Sequence, residues 1–380
     1  MSQTGSVSTK AAKAWVAKIN KAGGIMGHPV EAVFYDSESD PNKAILTTKQ
    51  MISSDRVLMV LGGGGTGLSL AVGPIAAQSK VPFVANSGSS LFEMQMAKAS
   101  PETFAWNFRM SNCTSQEQTA WLLMLFSKMN INKVAVVYSE DAYGQSGTAS
   151  IKDAINKYPE YGVSVAVEQS YPSDAVTFGP MIATLKSHKE IQGILVRGAT
   201  MASPLAIAAI RDAGIALPIA ADSVQMSPQF MAVEKVKRGI TRQPGVYTYA
   251  DMSFWRQLPD SNPAKAFYRS CYDFWKKELN IDADQEMYTE NYRFLIFAQD
   301  ALTRLLKDKP GILDQDLATT RKAVRDYLES TRNLQLGGVI TMSPTDHTGF
   351  AWGTSFRVGQ YQSNGQLHYL SQYSVPPPKK

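Results

Sequence analysis

An apolar run, Val57-Leu58-Met59-Val60-Leu61, meets six residues of which five are glycine, Gly62-Gly63-Gly64-Gly65-Thr66-Gly67. Residues 68–79 follow, with Leu, Ala, Val and Ile at helical spacing. The pattern predicts a strand, a tight loop and a helix. Such a loop leaves backbone N–H groups at a helix N-terminus, where the dipole favours an anion. A second strand is expected over 81–85, ending in Asn86-Ser87-Gly88-Ser89-Ser90. Two adjacent strand ends then carry small hydroxyls and amides, which reads as a cradle for a carboxylate.

Other readings of the loop stay open. Gly62, Gly64 and Gly67 satisfy the G-x-G-x-x-G spacing of a dinucleotide site, which also wants an acid at the end of the next strand. Here that strand ends in Asn86-Ser87, and Glu93 lies too far on. The Lys-Ser/Thr ending of a phosphate-binding P-loop is missing too. A glycine turn that serves packing alone is the plain alternative.

A length of 380 residues suits two lobes better than one core. The apolar fraction of 44% and the charged fraction of 19% are those of a globular protein. The net charge of +5 comes from scattered Lys and Arg, so no concentrated basic stripe points to nucleic acid. No apolar run is long enough to span a membrane. Cys113 and Cys271 define neither a disulfide framework nor a zinc site. His28, His188, His347 and His368 are isolated from one another and are expected at the surface or in loops. No metal and no cofactor is expected, and no clustered acid, base and nucleophile marks an enzyme.

Taken in order, the chain predicts a helix over 10–22, a strand over 30–35, a helix from Pro41 to about residue 53, and then the glycine loop. Asp40 is placed to cap the second helix, with Pro41 at its first position. A second series runs helix 115–129, strand 133–138, loop 140–144 and helix 147–157. It continues with strand 163–168, helix 178–187, strand 193–196, loop 197–203, helix 204–213 and strand 218–221. Alternation of this kind codes for parallel sheets with helical crossovers. Residues 261–279, 287–307 and 317–330 read as helices. Segments 337–342, 351–361 and 366–369 read as strands. A parallel sheet wants a strand before the first helix, and none is present. The expectation is a reading frame truncated at its start, with neither signal peptide nor first strand.

These residues resemble a known family. Ile19-Asn20-Lys21-Ala22-Gly23-Gly24-Ile25, the stretch 36–41, Val81-Pro82-Phe83-Val84, Ser87-Gly88-Ser89-Ser90 and Asp141-Ala142-Tyr143-Gly144 are similar, in order and spacing, to the periplasmic leucine/isoleucine/valine-binding proteins. The resemblance implies an α/β protein of two Rossmann-like lobes, a type I periplasmic-binding clamshell joined by a three-segment hinge. The lobes would comprise 1–114 with 248–333, and 115–247 with 334–372, leaving 373–380 as a disordered tail. It implies an extracytoplasmic solute-binding component of an ABC importer, periplasmic or at the cell surface. Such a protein is a monomer that captures a small molecule by hinge closure and delivers it to an inner-membrane permease. A sensory module of the same fold, reporting amides or amino acids, is the alternative; a dinucleotide-dependent enzyme is a more distant one.

Carried onto this chain, the family's site places the ligand carboxylate against Gly65 and Thr66 and the turn of Ser87, Gly88 and Ser89. Tyr143 matches an aromatic that covers the ligand, and Thr200 lies in a matching contact loop. Asp222 falls where the family places an acid for an α-ammonium. Arg197 departs from the pattern and would suit a second acid group on the ligand. The plain alternatives are a turn residue for Asp222, a packing tyrosine for Tyr143, and an arginine paired with a nearby acid for Arg197. The ligand's class stays open among amino acids, aromatic or aliphatic carboxylates, amides and urea.

Overall fold

The computed structural model describes residues 3–86, 99–110, 114–250, 252–283, 286–355 and 357–370. Ser87, Gly88, Ser89, Cys113 and the tail from 371 lie outside them. The chain divides into two compact units, Met1–Asn112 with Pro259–Thr354, and Cys113–Leu258 with Ser355–Lys380.

In the first unit, β1 (Val60–Gly62), β2 (Phe83–Ala85) and β3 (Asn107–Arg109) form a parallel sheet in that order. The helix Thr66–Gln78 makes the crossover from β1 to β2. Val60, Val72, Ala76, Val81 and Phe83 close the core between helix and sheet. The segment expected as a strand over 30–35 forms no ladder. It runs extended, pinned by Asn20, whose side chain accepts from Val30 N–H and donates to Val30 O at 2.8 Å each. Val33 and Phe34 stand 37% and 41% exposed. A strand is defined by its neighbour, and among the described residues none lies alongside this segment to bond it. The run 57–61 likewise narrows to a strand only from Val60, where Val60 N–H donates to Pro82 O at 2.9 Å.

The remaining helices of this unit belong to distant stretches of chain. Pro263–Leu279, Glu286–Asp308 and Leu317–Glu329 sit within a few residues of their expected positions, whereas Gln3–Lys21, expected over 10–22, starts seven residues earlier. Their aromatics are core, as Phe267, Tyr268, Trp275 and Phe297 show. Cys271 is buried, with its Sγ 3.8 Å from Tyr288 O. A short hairpin, Leu334–Gln335 with Val339–Ile340, leans on this layer through the Tyr268 hydroxyl, which donates to Gly337 O at 2.8 Å.

In the second unit, β4 (Lys133–Ser139), β5 (Ser164–Tyr171), β6 (Gly193–Arg197), β7 (Ile219–Ala221), β8 (Tyr247–Ala250), β9 (Arg357–Tyr361) and β10 (Leu367–Tyr369) build one sheet. Its order is β10-β9-β8-β7-β6-β4-β5. The strands from β5 to β8 are parallel, and β9 and β10 are added antiparallel. Both faces of the parallel part are covered, which is why β4 and β6 read as near-continuous apolar runs. The helix expected to begin at 147 begins at Ala142, because the Asp141 side chain accepts from Gly144 N–H at 2.9 Å and caps it five residues earlier.

His347 is not at the surface. It is 1% exposed, with ring centroids 4.4 Å from Phe104 and 4.2 Å from Phe108. Its Nδ1 lies 3.0 Å from Phe104 O and 2.9 Å from Asn107 O, tying residues 343–350 to the end of the first sheet. Burial pushes the imidazole below the ordinary histidine range, with the carbonyls and Glu329 pulling the other way. His347→Ala empties this sandwich and is expected to cost about 2–4 kcal/mol, as for other buried large-to-small changes, measured by urea unfolding.

Candidate functional site

Parallel sheets gather the ends of their strands at one edge, and loops that follow those ends are where such folds bind ligands. At the carboxyl edge of the first sheet stands the glycine loop. Gly62, Gly63 and Gly64 all take positive φ, at 143°, 98° and 55°. A Cβ on Gly63 would lie 2.8 Å from Ser69 Oγ and 3.0 Å from the Phe83 ring, so glycine is required there twice over. The loop is held by Asn86 at the end of β2, whose Oδ1 accepts from Gly64 N–H at 3.0 Å. Asn86 Nδ2 in turn donates to Asn291 Oδ1 at 3.1 Å. Asn291 comes from a helix 205 residues further on, and no sequence signal pointed to it.

The loop delivers the chain into the helix Thr66–Gln78 through Gly65, which has no side chain to cap it. The N–H groups of Thr66, Gly67 and Leu68 have no partner among the described residues, while that of Ser69 already donates to Gly65 O at 3.0 Å. Thr66 and Ser69 are 2% and 4% exposed, and their hydroxyls likewise lack a partner among the described residues. Buried polar atoms are nearly always satisfied. A row of orphan donors at a helix N-terminus is a place that accepts an anion. Of the expected cradle, Gly65 and Thr66 are thus placed, and Ser87, Gly88 and Ser89 lie outside the described residues.

The carboxyl edge of the second sheet is of a different kind. Arg197 closes β6 rather than opening a loop, and Asp222 follows β7 directly. They are 1% and 0% exposed and form an ion pair through Arg197 Nη1 and Asp222 Oδ1. Arg197 Nη2 also donates to Gln118 Oε1 at 3.2 Å, and its guanidinium lies 5.9 Å from the Tyr143 ring centroid. Asp222 accepts from Gly198 N–H at 3.1 Å, from the Tyr249 hydroxyl at 3.1 Å and from the Tyr143 hydroxyl. Burial pushes the Asp222 carboxyl above the ordinary carboxylate range, and Arg197, Gly198 and the two hydroxyls pull against it.

Gly198 supplies its N–H from a φ of 157°, and a Cβ there would fall 2.1 Å from Ser203 Oγ. Three predicted residues, Tyr143, Arg197 and Asp222, are therefore brought together. Thr200 is not among their contacts: its hydroxyl donates to Ser173 O at 2.6 Å. Gln118 and Tyr249 complete the cluster and went unnoticed in the sequence, because a buried Gln on a helix and a Tyr on a strand look like packing. Among the described residues no group of three His, Cys, Asp or Glu could hold a metal ion. No described helix is long and apolar enough to cross a membrane.

A family model described as periplasmic binding protein matches residues 1–366. The chain belongs to the periplasmic binding protein family. A curated member, Leu/Ile/Val-binding protein homolog 3 of Brucella melitensis biotype 1, is 27% identical over 180 residues, covering 47% of this chain and 46% of that protein. The chain thus spans about half the length of the curated relatives it matches.

Two solved structures share the fold over nearly the whole chain. One is the branched-chain amino acid transporter substrate binding protein LivJ of Streptococcus pneumoniae in complex with isoleucine. It gives a TM-score of 0.76 at 18% identity, covering 97% of this chain and 94% of that one. The other is an ABC transporter solute binding protein of Rhodopseudomonas palustris in complex with benzoate. It gives a TM-score of 0.75 at 14% identity, covering 98% and 92%. The fold is the type I periplasmic binding protein fold, with mixed α/β sheets, and its family is one of substrate-binding proteins.

Removing one member of a buried ion pair strands the other charge. Arg197→Met is expected to destabilise the second unit by about 3–5 kcal/mol. The double variant Arg197→Met/Asp222→Leu should lose less than the single one. Denaturant unfolding of both variants beside the parent checks the order.

Proposed function

We propose that this periplasmic binding protein is the solute-binding component of an ABC importer. It captures a small carboxylate outside the cytoplasm for delivery to a membrane permease. One observation carries the reading: the helix that starts at Thr66 presents uncapped N–H groups and a buried hydroxyl without a partner among the described residues. A carboxylate accepts several hydrogen bonds at once and is stabilised by the positive end of the helix dipole. Water is held there less strongly, because it brings no charge.

Gly65 and Thr66 would receive the carboxylate, and Ser87, Gly88 and Ser89, next in chain after Asn86, would add hydroxyls and a further amide. Kinship supports the same reading, since isoleucine and benzoate, the ligands named for the two solved structures, have a carboxylate in common.

Thr66→Val keeps the shape of the side chain and removes the hydroxyl. Loss of one hydrogen bond to a charged group is expected to weaken a bound carboxylate by about 1.5–3 kcal/mol, roughly tenfold to a hundredfold in Kd. A neutral amide of the same carbon skeleton should bind parent and variant equally. Calorimetric titration with benzoate and benzamide tests this; equal loss for both, or for neither, would remove Thr66 from the site.

A further inference from the structure

The loop that opens the helix Thr66–Gln78 is a run of consecutive glycines, and glycine gives up more backbone freedom on folding than any other residue. Such a loop has to be held in shape by groups outside it. Asn86, at the end of β2, does this with two bonds. Its main-chain N–H donates to Gly62 O at 3.0 Å, and its side-chain Oδ1 accepts from Gly64 N–H at 3.0 Å.

An asparagine amide can be turned either way round, and only one way offers Gly64 N–H an acceptor. The other end of the Asn86 amide decides which. Its Nδ2 donates to Asn291 Oδ1 at 3.1 Å and to Ser8 Oγ at 3.3 Å. The Ser8 hydroxyl donates to the same Asn291 oxygen and fixes that amide in its turn. With the Asn86 amide reversed, its oxygen would face the oxygen of Asn291 and its nitrogen would face the N–H of Gly64. Asn86 and Asn291 are both buried, so a mismatch there costs the full desolvation of the groups concerned. Ser8, Gly64, Asn86 and Asn291 all belong to the first compact unit.

We infer that Asn291 is a positioning residue of the carboxylate site: by orienting the Asn86 amide, it holds the glycine loop in the shape that delivers the chain to the helix at Thr66. The inference rests on the carboxylate reading given above and extends it to the helix Glu286–Asp308. Asn291 acts on the loop through Asn86, so its effect on binding depends on Asn86 being present.

Asn291→Leu keeps the size of the side chain and removes its oxygen; Asn291→Ala makes the same test should the leucine not be accommodated. The first measurement needs no ligand. Exchange of the Gly64 amide proton with solvent, followed by NMR on the intact chain, is expected to quicken by about tenfold in the variant, while that of Val84 in β2 stays at the parent's rate. The second is calorimetric titration with benzoate and L-isoleucine. Whichever of them the parent binds should bind about tenfold more weakly to the Asn291 variant, and adding the same change to Asn86→Ala should cost nothing further. Unchanged Gly64 exchange, undiminished binding, or losses that simply add in the double variant overturn the inference. If Thr66→Val still weakens the same ligand, the carboxylate reading survives that failure. If the parent binds neither compound, the carboxylate reading itself falls and takes this inference with it.

Discussion

Parallel strands cannot be joined by a tight turn; each must be followed by a crossover that returns the chain to the same end of the sheet. That restriction orders both units of this protein. It places every helix that follows a parallel strand with its N-terminus at the carboxyl edge, and it collects the intervening loops there. Residues 63–65 lie between β1 and its helix, Asp141 between β4 and its helix, and Gly198 between β6 and its helix. The positions are unrelated in sequence and equivalent in the sheet.

Within that common frame the two edges are treated oppositely. In the first unit the helix after β1 is left uncapped and a buried threonine hydroxyl goes without a partner among the described residues. In the second, the helix after β4 is capped by Asp141, and Asp222, buried at the edge, is engaged by Arg197 and Gly198 N–H. An orphan donor is costly in an empty protein and rewarding once an anion arrives. A satisfied ion pair contributes little net stability, since desolvation offsets most of the attraction, but losing either member is expensive. The first edge therefore leaves donors open, and the second keeps its own order.

Much of this was legible in the chain. The glycine loop, the strand and helix beside it, and most of the later helices follow from apolar periodicity and from caps such as Asp40 before Pro41, whose side chain accepts from Asn42 N–H. The early start of the helix at Ala142 was legible in principle as well, since Asp141 stands three residues before Gly144. Segment 30–35 looked like a strand and is not one, because strand propensity states only that a residue suits a ladder and cannot supply the neighbouring strand. His347 gave no hint of its burial; a lone histidine in a polar loop carries no sign of the two phenylalanines that will enclose it.

Sequence alone determined the alternation of strands and helices, the glycine loop and the likeness to the periplasmic binding proteins, because each is written in neighbours a few residues apart. Only the tertiary structure decided how Arg197, Asp222, Gln118, Tyr143 and Tyr249 are used. They come from five different elements, and whether an arginine faces a ligand or an acid of its own chain depends on which strands lie side by side. The strand order β8-β7-β6-β4 puts the ends bearing Asp222 and Arg197 next to each other, and in a dry interior two opposite charges so placed neutralise one another.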